Sequence, residues 1–187
     1  MPDLSSLWLT ARLALVTTCV LLLIGTPLAW WLAQTRSRIK PVIEALIALP
    51  LVLPPTVLGF YLLIAMSPDA PFGGVWLQAT GDTLSFSFTG LVIGSVIYSF
   101  PFMIQPLQSA FEGPVQQAMR TAASLRASRL DAFFTVAVPM SIRGFVTAIV
   151  LSFAHTLGEF GVVLMVGGNI PDRTRVASIE IYENVET

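Results

Sequence analysis

Acid–base and metal chemistry in this 187-residue chain rests on one histidine, one cysteine and eleven carboxylates. His155 and Glu159 stand four residues apart, so a helix places them on one face, within reach of a shared hydrogen bond. Both fall in an apolar run, where an ionisable group is costly and functional by default. A single histidine excludes paired-histidine metal sites, and too few ligands surround Glu159 to hold zinc. Cys19 allows no internal disulfide, and its place in an apolar run predicts a small buried residue. The only lysine, Lys40, follows Ile39, whereas a P-loop needs Gly-Lys, so that phosphate cradle is missing. Within the apolar runs only Glu44 and Glu159 are acidic, and no nucleophile, base and metal set of a membrane enzyme converges.

These residues are carried by a very apolar chain. Its hydrophobic share is 55% and its charged share 11%, against roughly 25% charged in soluble domains. So few charges cannot cover a globular surface, which argues against a secreted or disordered protein. The net charge of −1 supplies no basic field for nucleic acid. A polytopic membrane protein remains, forming one unit over residues 1–187.

A bilayer core needs about 20 apolar residues as helix. The first such run is Leu13 to about Leu32, followed by Arg36, Arg38 and Lys40. It is too long for the apolar core of a signal peptide. Trp30 and Trp31 close it as interface anchors. The second run, about Val42 to Met66, contains Pro50, Pro54 and Pro55, which predict a kink or a break. Residues 67–87 read as a polar hinge rich in proline and glycine. The third run is about Phe88 to Phe111, bent by Pro101 and Pro106, with Gly90 and Gly94 offering close helix packing. The fourth is about Val138 to Val166, followed by a Gly-Gly turn and a polar stretch to Thr187.

Seven of the ten basic residues lie in two loops: Arg36, Arg38 and Lys40 in one, Arg120, Arg126, Arg129 and Arg143 in the other. The positive-inside rule makes these loops cytoplasmic and puts the N-terminus and residues 167–187 outside. Arg173 and Arg175 mildly oppose that assignment.

The segment 112–138 is too polar to span and too apolar for a linker. Leu130, Phe133, Phe134 and Ala137 recur at i, i+3, i+4 and i+7, the spacing of one helical face. That face is buried either against the chain's own membrane helices or in a groove on a cytoplasmic partner.

Ala122, Ala127, Ser128, Phe133, Val136 and Pro139 together resemble the cytoplasmic coupling motif of ABC importer permeases. That motif reads Glu-Ala-Ala, three residues, Gly-Ala-Ser, then Phe, Val or Ile, and Leu-Pro. Arg120 stands at its glutamate and Arg126 at its glycine. An arginine loses roughly 1 kcal/mol or more in a positive-φ turn, so either the turn is helical or the helices meet differently. The run from Leu49 to Gly59 resembles the opening of the second span in molybdate-type permeases. Gly158-Glu159-Phe160-Gly161 is similar in molybdate and sulfate permeases, and Gly168-Asn169-Ile170-Pro171 with Thr174-Arg175 resembles the molybdate/tungstate branch.

The resemblance implies an all-α integral membrane protein of the type I ABC importer permease fold. It has about four membrane helices here and a pair of short cytoplasmic coupling helices. Such a permease takes no cofactor and is not an enzyme. It forms the oxyanion pathway as a homodimer in membrane lipid, with an ABC ATPase subunit below and an oxyanion-binding protein outside. The cell inner membrane is its implied location. The family continues with a further span, so the chain looks C-terminally truncated.

The coupling residues would be Ala122, Arg126, Ala127, Ser128, Leu130, Phe133, Phe134 and Pro139. Pathway or gate candidates are His155, Glu159, Phe160 and Gly161; a carboxylate repels a dianion, so Glu159 is expected to hold an outer gate rather than bind substrate. Outer-face candidates are Asn169, Pro171, Arg173 and Arg175. A sulfate or thiosulfate permease of the same architecture is the alternative.

Overall fold

The computed structural model describes residues 4–186. All regular elements among them are helical: α1 Leu4–Gln34, α2 Lys40–Val52, α3 Pro55–Met66, α4 Pro71–Thr80, α5 Phe88–Phe111 and α6 Pro114–Ser124. They are followed by α7 Arg129–Ala132, a π-turn Phe133–Ala137, α8 Val138–Met140, α9 Ile142–Gly158, α10 Gly161–Gly167 and α11 Ala177–Glu186.

Two helices, α1 and α5, are each long and apolar enough to cross a bilayer. Two bent pairs raise the number of spans to four if each pair counts as one. The α2–α3 pair turns by 110°. Pro54 and Pro55 supply no amide hydrogen, so α2 cannot propagate through them and the second span is broken. The fourth span departs further from its expected outline. It bends by 71° between the 129–140 helices and α9, and it stops at Gly158 before α10 resumes it. In contrast, α5 runs unbroken through Pro101 and Pro106 over the predicted range.

The residues between the second and third spans are not only a hinge. They hold α4, which opens with Pro71 in its first turn and ends at Gly81. The polar tail is likewise partly helical, as α11.

The core lies between α1, α5 and α9, where Leu21, Leu32, Met103, Ile104, Leu107, Phe111 and Ala148 are buried together. A smaller cluster of Leu58, Met66, Leu84, Val162 and Val166 joins α3 to α10. Gly94 of the GxxxG pair faces α10, where an added Cβ would lie 3.2 Å from Val162. The outward sides of the helices carry apolar residues such as Leu15, Leu23, Val52 and Tyr61, as a lipid-facing surface requires. Cys19 is on that surface, exposed rather than buried.

Polar contacts mark the two ends of the bundle. At one, Ser6 of α1 bonds the Glu180 carboxylate, and the Ala177 amide donates to Thr10 Oγ1 at 2.8 Å. Arg12 rests over the Phe88 ring, 4.7 Å from its centroid. At the other end, Lys40 Nζ lies 3.2 Å from Glu112 Oε1, Gln108 Nε2 donates to Glu44 Oε1 at 2.6 Å, and Gln116 donates to the Ala33 carbonyl.

Candidate functional site

The turn between α6 and α7 is built as a helix-stop motif joined directly to a helix start. The Ala127 amide donates to the Ala122 carbonyl and the Arg126 amide to the Ala123 carbonyl, both at 3.1 Å. These are the two bonds of a Schellman cap, whose penultimate residue must be left-handed. Arg126 is that residue, with φ of +64°. So the arginine adopts the conformation natural to glycine, and the alternative of a helical turn is set aside. Ala122 and Ala127 are the two small residues that flank such a cap. Ser128 then caps α7, its hydroxyl accepting from the Asp131 amide at 3.1 Å. Arg126→Gly is expected to raise thermal stability by about 0.5–1 kcal/mol. It relieves a left-handed cost of about 1–2 kcal/mol, partly offset by glycine's unfolded entropy.

The apolar stripe expected on one face is divided. Phe133 turns inward, its ring 4.9 Å from Trp30 and 6.1 Å from Phe111, and Ala137 is fully buried. Leu130 and Phe134 point away from the bundle, 74% and 65% exposed. The π-turn from Phe133 to Ala137 adds a residue to the helical repeat and rotates the stripe apart. Leu125 is exposed beside them, and Pro139 is exposed in α8. Trp30 is thus an inward link between α1, α5 and this loop, whereas Trp31 alone keeps the exposed position of an interface anchor.

His155, Glu159, Phe160 and Gly161 do converge, on a cavity of about 470 Å³ that Pro55, Thr56 and Tyr98 complete. It lies where the breaks of the second and fourth spans meet. Gly161 makes that meeting possible: a Cβ there would lie 2.6 Å from Pro55 Cβ and 3.1 Å from the Thr56 nitrogen.

The expected His155–Glu159 contact is absent. Helix α9 ends at Gly158, and Glu159 takes an extended backbone (φ −66°, ψ 131°) that carries it off the face of His155. His155 is instead stacked on Phe102 with centroids 4.0 Å apart, and its Nδ1 lies 2.9 Å from Ser99 Oγ. Ser99 also contacts Thr156 Oγ1 at 3.0 Å. Glu159 is 4% exposed, and neither carboxylate oxygen has a hydrogen-bond partner. Ser95 is near enough to influence it, but the pair does not meet hydrogen-bond geometry. The Glu159 backbone is better held, its carbonyl accepting from Ser178 Oγ at 2.6 Å. Phe160 packs on Tyr182 of α11.

The outer-face candidates separate into structural and free residues. Asn169 is left-handed with φ of +56°. Its Oδ1 accepts from Arg175 Nε at 2.8 Å, and Arg175 also pairs with Glu183 at 3.5 Å. Thr174, fully buried, donates to the Gly167 carbonyl at 2.6 Å and accepts from the Ile170 amide. The Asn-Ile-Pro-x-x-Thr-Arg element therefore ties its own loop together. Pro171 and Arg173 remain exposed.

Sequence reasoning did not find Tyr98, Ser99, Phe102 or Thr156 around His155, nor the Lys40–Glu44–Gln108–Glu112 network. Glu44 was visible only as an acidic residue in a span, and nothing in the spacing joined it to residues over sixty positions away.

A bundle of broken apolar helices, with an exposed turn at one end and a cavity between breaks, is an architecture that suits a membrane transport protein. Residues 25–186 match the family of binding-protein-dependent transport system inner membrane components, and the chain belongs to that family. It is 56% identical over 184 residues to the molybdenum transport system permease protein ModB of Azotobacter vinelandii, covering 98% of this chain and 81% of that one. The ModB protein of Escherichia coli K12 is 33% identical over 96% of this chain and 80% of its own length. That of Haemophilus influenzae is 35% identical over 85% and 69%.

Proposed function

We propose that this chain is the membrane-spanning permease subunit of an ATP-driven molybdate importer. The observation that carries the reading is its 56% identity, along 98% of its length, to a molybdenum transport permease. In this reading the chain works as a homodimer, with a separate ATPase on its cytoplasmic side and an oxyanion-binding protein on the other. The segment 112–138 is the cytoplasmic coupling loop, and Leu125, Leu130 and Phe134 are the side chains offered to the ATPase. The end holding Arg36, Arg38, Lys40, Arg120, Arg126, Arg129 and Arg143 faces the cytoplasm, by the positive-inside rule. Ser6, Thr10 and α11 then face outward.

Alternating access requires the ATPase to favour one permease conformation over the other by its differential contacts. Broken helices suit that task, because each break is a point where two rigid segments change their angle. The cavity between the breaks is the candidate pathway, and broken-helix ends are where transporters commonly place ion sites. Helix α3 starts there without a side-chain cap, which leaves its positive end available to an anion. Glu159 is buried beside the same cavity with no cation to pair it, so it is assigned to the outer gate and not to anion binding. Arg173 is the exposed cation available to the binding protein, whereas Arg175 maintains the loop.

Uptake of isotopic molybdate by cells lacking their own molybdate importer tests this. The full-length gene, expressed with its neighbouring ATPase and binding protein, is expected to restore uptake that excess sulfate does not suppress. Uptake of sulfate in preference to molybdate would transfer the assignment to the sulfate branch. In the same cells Glu159→Gln is expected to alter uptake or the coupled ATPase rate several-fold. Unchanged values for both would remove Glu159 from the gate.

A further inference from the structure

The break between α9 and α10 leaves two groups without partners on residues that a continuous helix brings together. Glu159 is 4% exposed, and neither carboxylate oxygen has a hydrogen bond. His155 is bonded at one ring nitrogen only, and the hydroxyls beneath it fix its tautomer. Thr156 donates its one hydroxyl hydrogen to the Ser152 carbonyl at 2.9 Å. Ser99 is therefore the donor in its 3.0 Å contact with Thr156 Oγ1. With that hydrogen committed, Ser99 accepts from His155 Nδ1–H at 2.9 Å. Nε2, on the opposite edge of the ring, is then an acceptor with no hydrogen-bond partner among the described residues. Leaving a buried carboxyl group unbonded is costly. On a continuous helix, i, i+4 spacing lets one proton shared between Glu159 and Nε2 satisfy both.

The departure from helix is confined to Glu159 and Phe160. Glu159 has a helical φ of −66° but an extended ψ of 131°. Phe160 has φ −126° and ψ −57°. A few residues at an element end that absorb such a change form a hinge. The restraint on this one comes from α11. Ser178 Oγ donates to the Glu159 carbonyl at 2.6 Å, and a continuous helix needs that carbonyl for the Val163 amide. Ser178 thus competes directly with helix formation. Its own helix is tied to α1 through Ser6 with Glu180 and Thr10 with the Ala177 amide.

We propose that the α9–α10 junction is a two-state hinge. Ser178 is the positioning residue that latches the broken state. In the other state the helix is continuous and Glu159 bonds His155. The proposal rests on the reading of Glu159 as part of the outer gate, since forming the helix withdraws Glu159 and changes how α10 meets α3 beside the cavity.

The test is hydrogen exchange by mass spectrometry on the full-length permease with its ATPase, without nucleotide. The amides of Phe160, Gly161, Val162 and Val163 donate no backbone hydrogen bond in the broken state, and a continuous helix protects all four. Ser178→Ala is expected to slow their exchange by about fivefold, the scale of one lost hydrogen bond. Loss of a merely structural bond speeds exchange instead. Ser178→Thr is expected to keep the wild-type rate. Gly158→Ala reaches the same state without touching the latch: its Cβ meets nothing within 4 Å, and its helix propensity is expected to slow exchange by about fivefold. Adding His155→Ala to either variant is expected to return the rate to that of wild type. Unchanged or faster exchange in Ser178→Ala, with α5 still protected, overturns the latch. Unchanged exchange in Gly158→Ala overturns the second state, and protection that survives His155→Ala overturns the pairing. The readout needs no substrate, so slowed exchange beside normal uptake by Glu159→Gln keeps the hinge and removes the gate.

Discussion

Replacing Leu130 and Phe134 together by aspartate is expected to abolish co-purification of the ATPase while leaving the permease folded. Both side chains are exposed, so the chain's own packing loses little when they become polar. Burying two such residues at an interface contributes about 1.5–3 kcal/mol each. Their loss alone weakens association by roughly a hundredfold to ten-thousandfold, and two carboxylates without partners add desolvation cost. The measurement is a pull-down from membranes with the full-length partner proteins, beside thermal unfolding of the permease. Phe133→Asp is the informative contrast. Phe133 touches Trp30, Phe111 and Phe134, so a charge there destabilises the bundle itself and any loss of partner is ambiguous. An ATPase that co-purifies normally with the Leu130/Phe134 variant would remove this surface from coupling.

The helical membrane class was legible because it follows from composition and length. Apolar runs bounded by charges and turn residues locate α1 and α5, and the match at Phe88–Phe111 extends to both ends. The broken second span was legible too, since Pro54 and Pro55 remove donors wherever they stand. The break at Glu159 was not. Gly158 and Gly161 are tolerated inside membrane helices, so the run from Val138 to Val166 reads as continuous. What stops it is tertiary: α10 must pass close to Pro55 and Thr56, and α11 holds the Glu159 carbonyl through Ser178. The supposed His155–Glu159 pair failed with it, because i, i+4 spacing has meaning only while the helix lasts.

The turn between α6 and α7 had a similar history. Its resemblance to a coupling motif was readable, but the Ser128 cap that starts α7 was not. The glycine rule pointed away from a left-handed Arg126, yet the surrounding bonds impose it. Two backbone hydrogen bonds and the adjacent serine cap outweigh a local cost of about 1–2 kcal/mol. The splitting of the apolar stripe was beyond periodicity altogether, since a π-turn alters the repeat on which periodicity relies.

Gly161→Val is expected to bring the largest single-residue loss of transport. The hydrogen of Gly161 lets α10 begin against the start of α3. A Cβ would stand 2.6 Å from Pro55 Cβ and 3.1 Å from the Thr56 nitrogen, far inside normal contact. Neither neighbour can yield by rotating a side chain, because one belongs to a proline ring and the other to backbone. Overpacking of this kind costs about 1–3 kcal/mol, and the rigid neighbours favour the upper end. The strain is relieved only by moving the two helix breaks apart, which also reshapes the cavity holding His155 and Glu159. Thermal unfolding should therefore shift downward by several degrees, and molybdate uptake should fall by more than the loss of folded protein accounts for. Gly161→Ala should show both effects in reduced form. Normal melting and normal uptake in the valine variant would mean that the two breaks separate freely, and that their close approach is not what shapes the pathway.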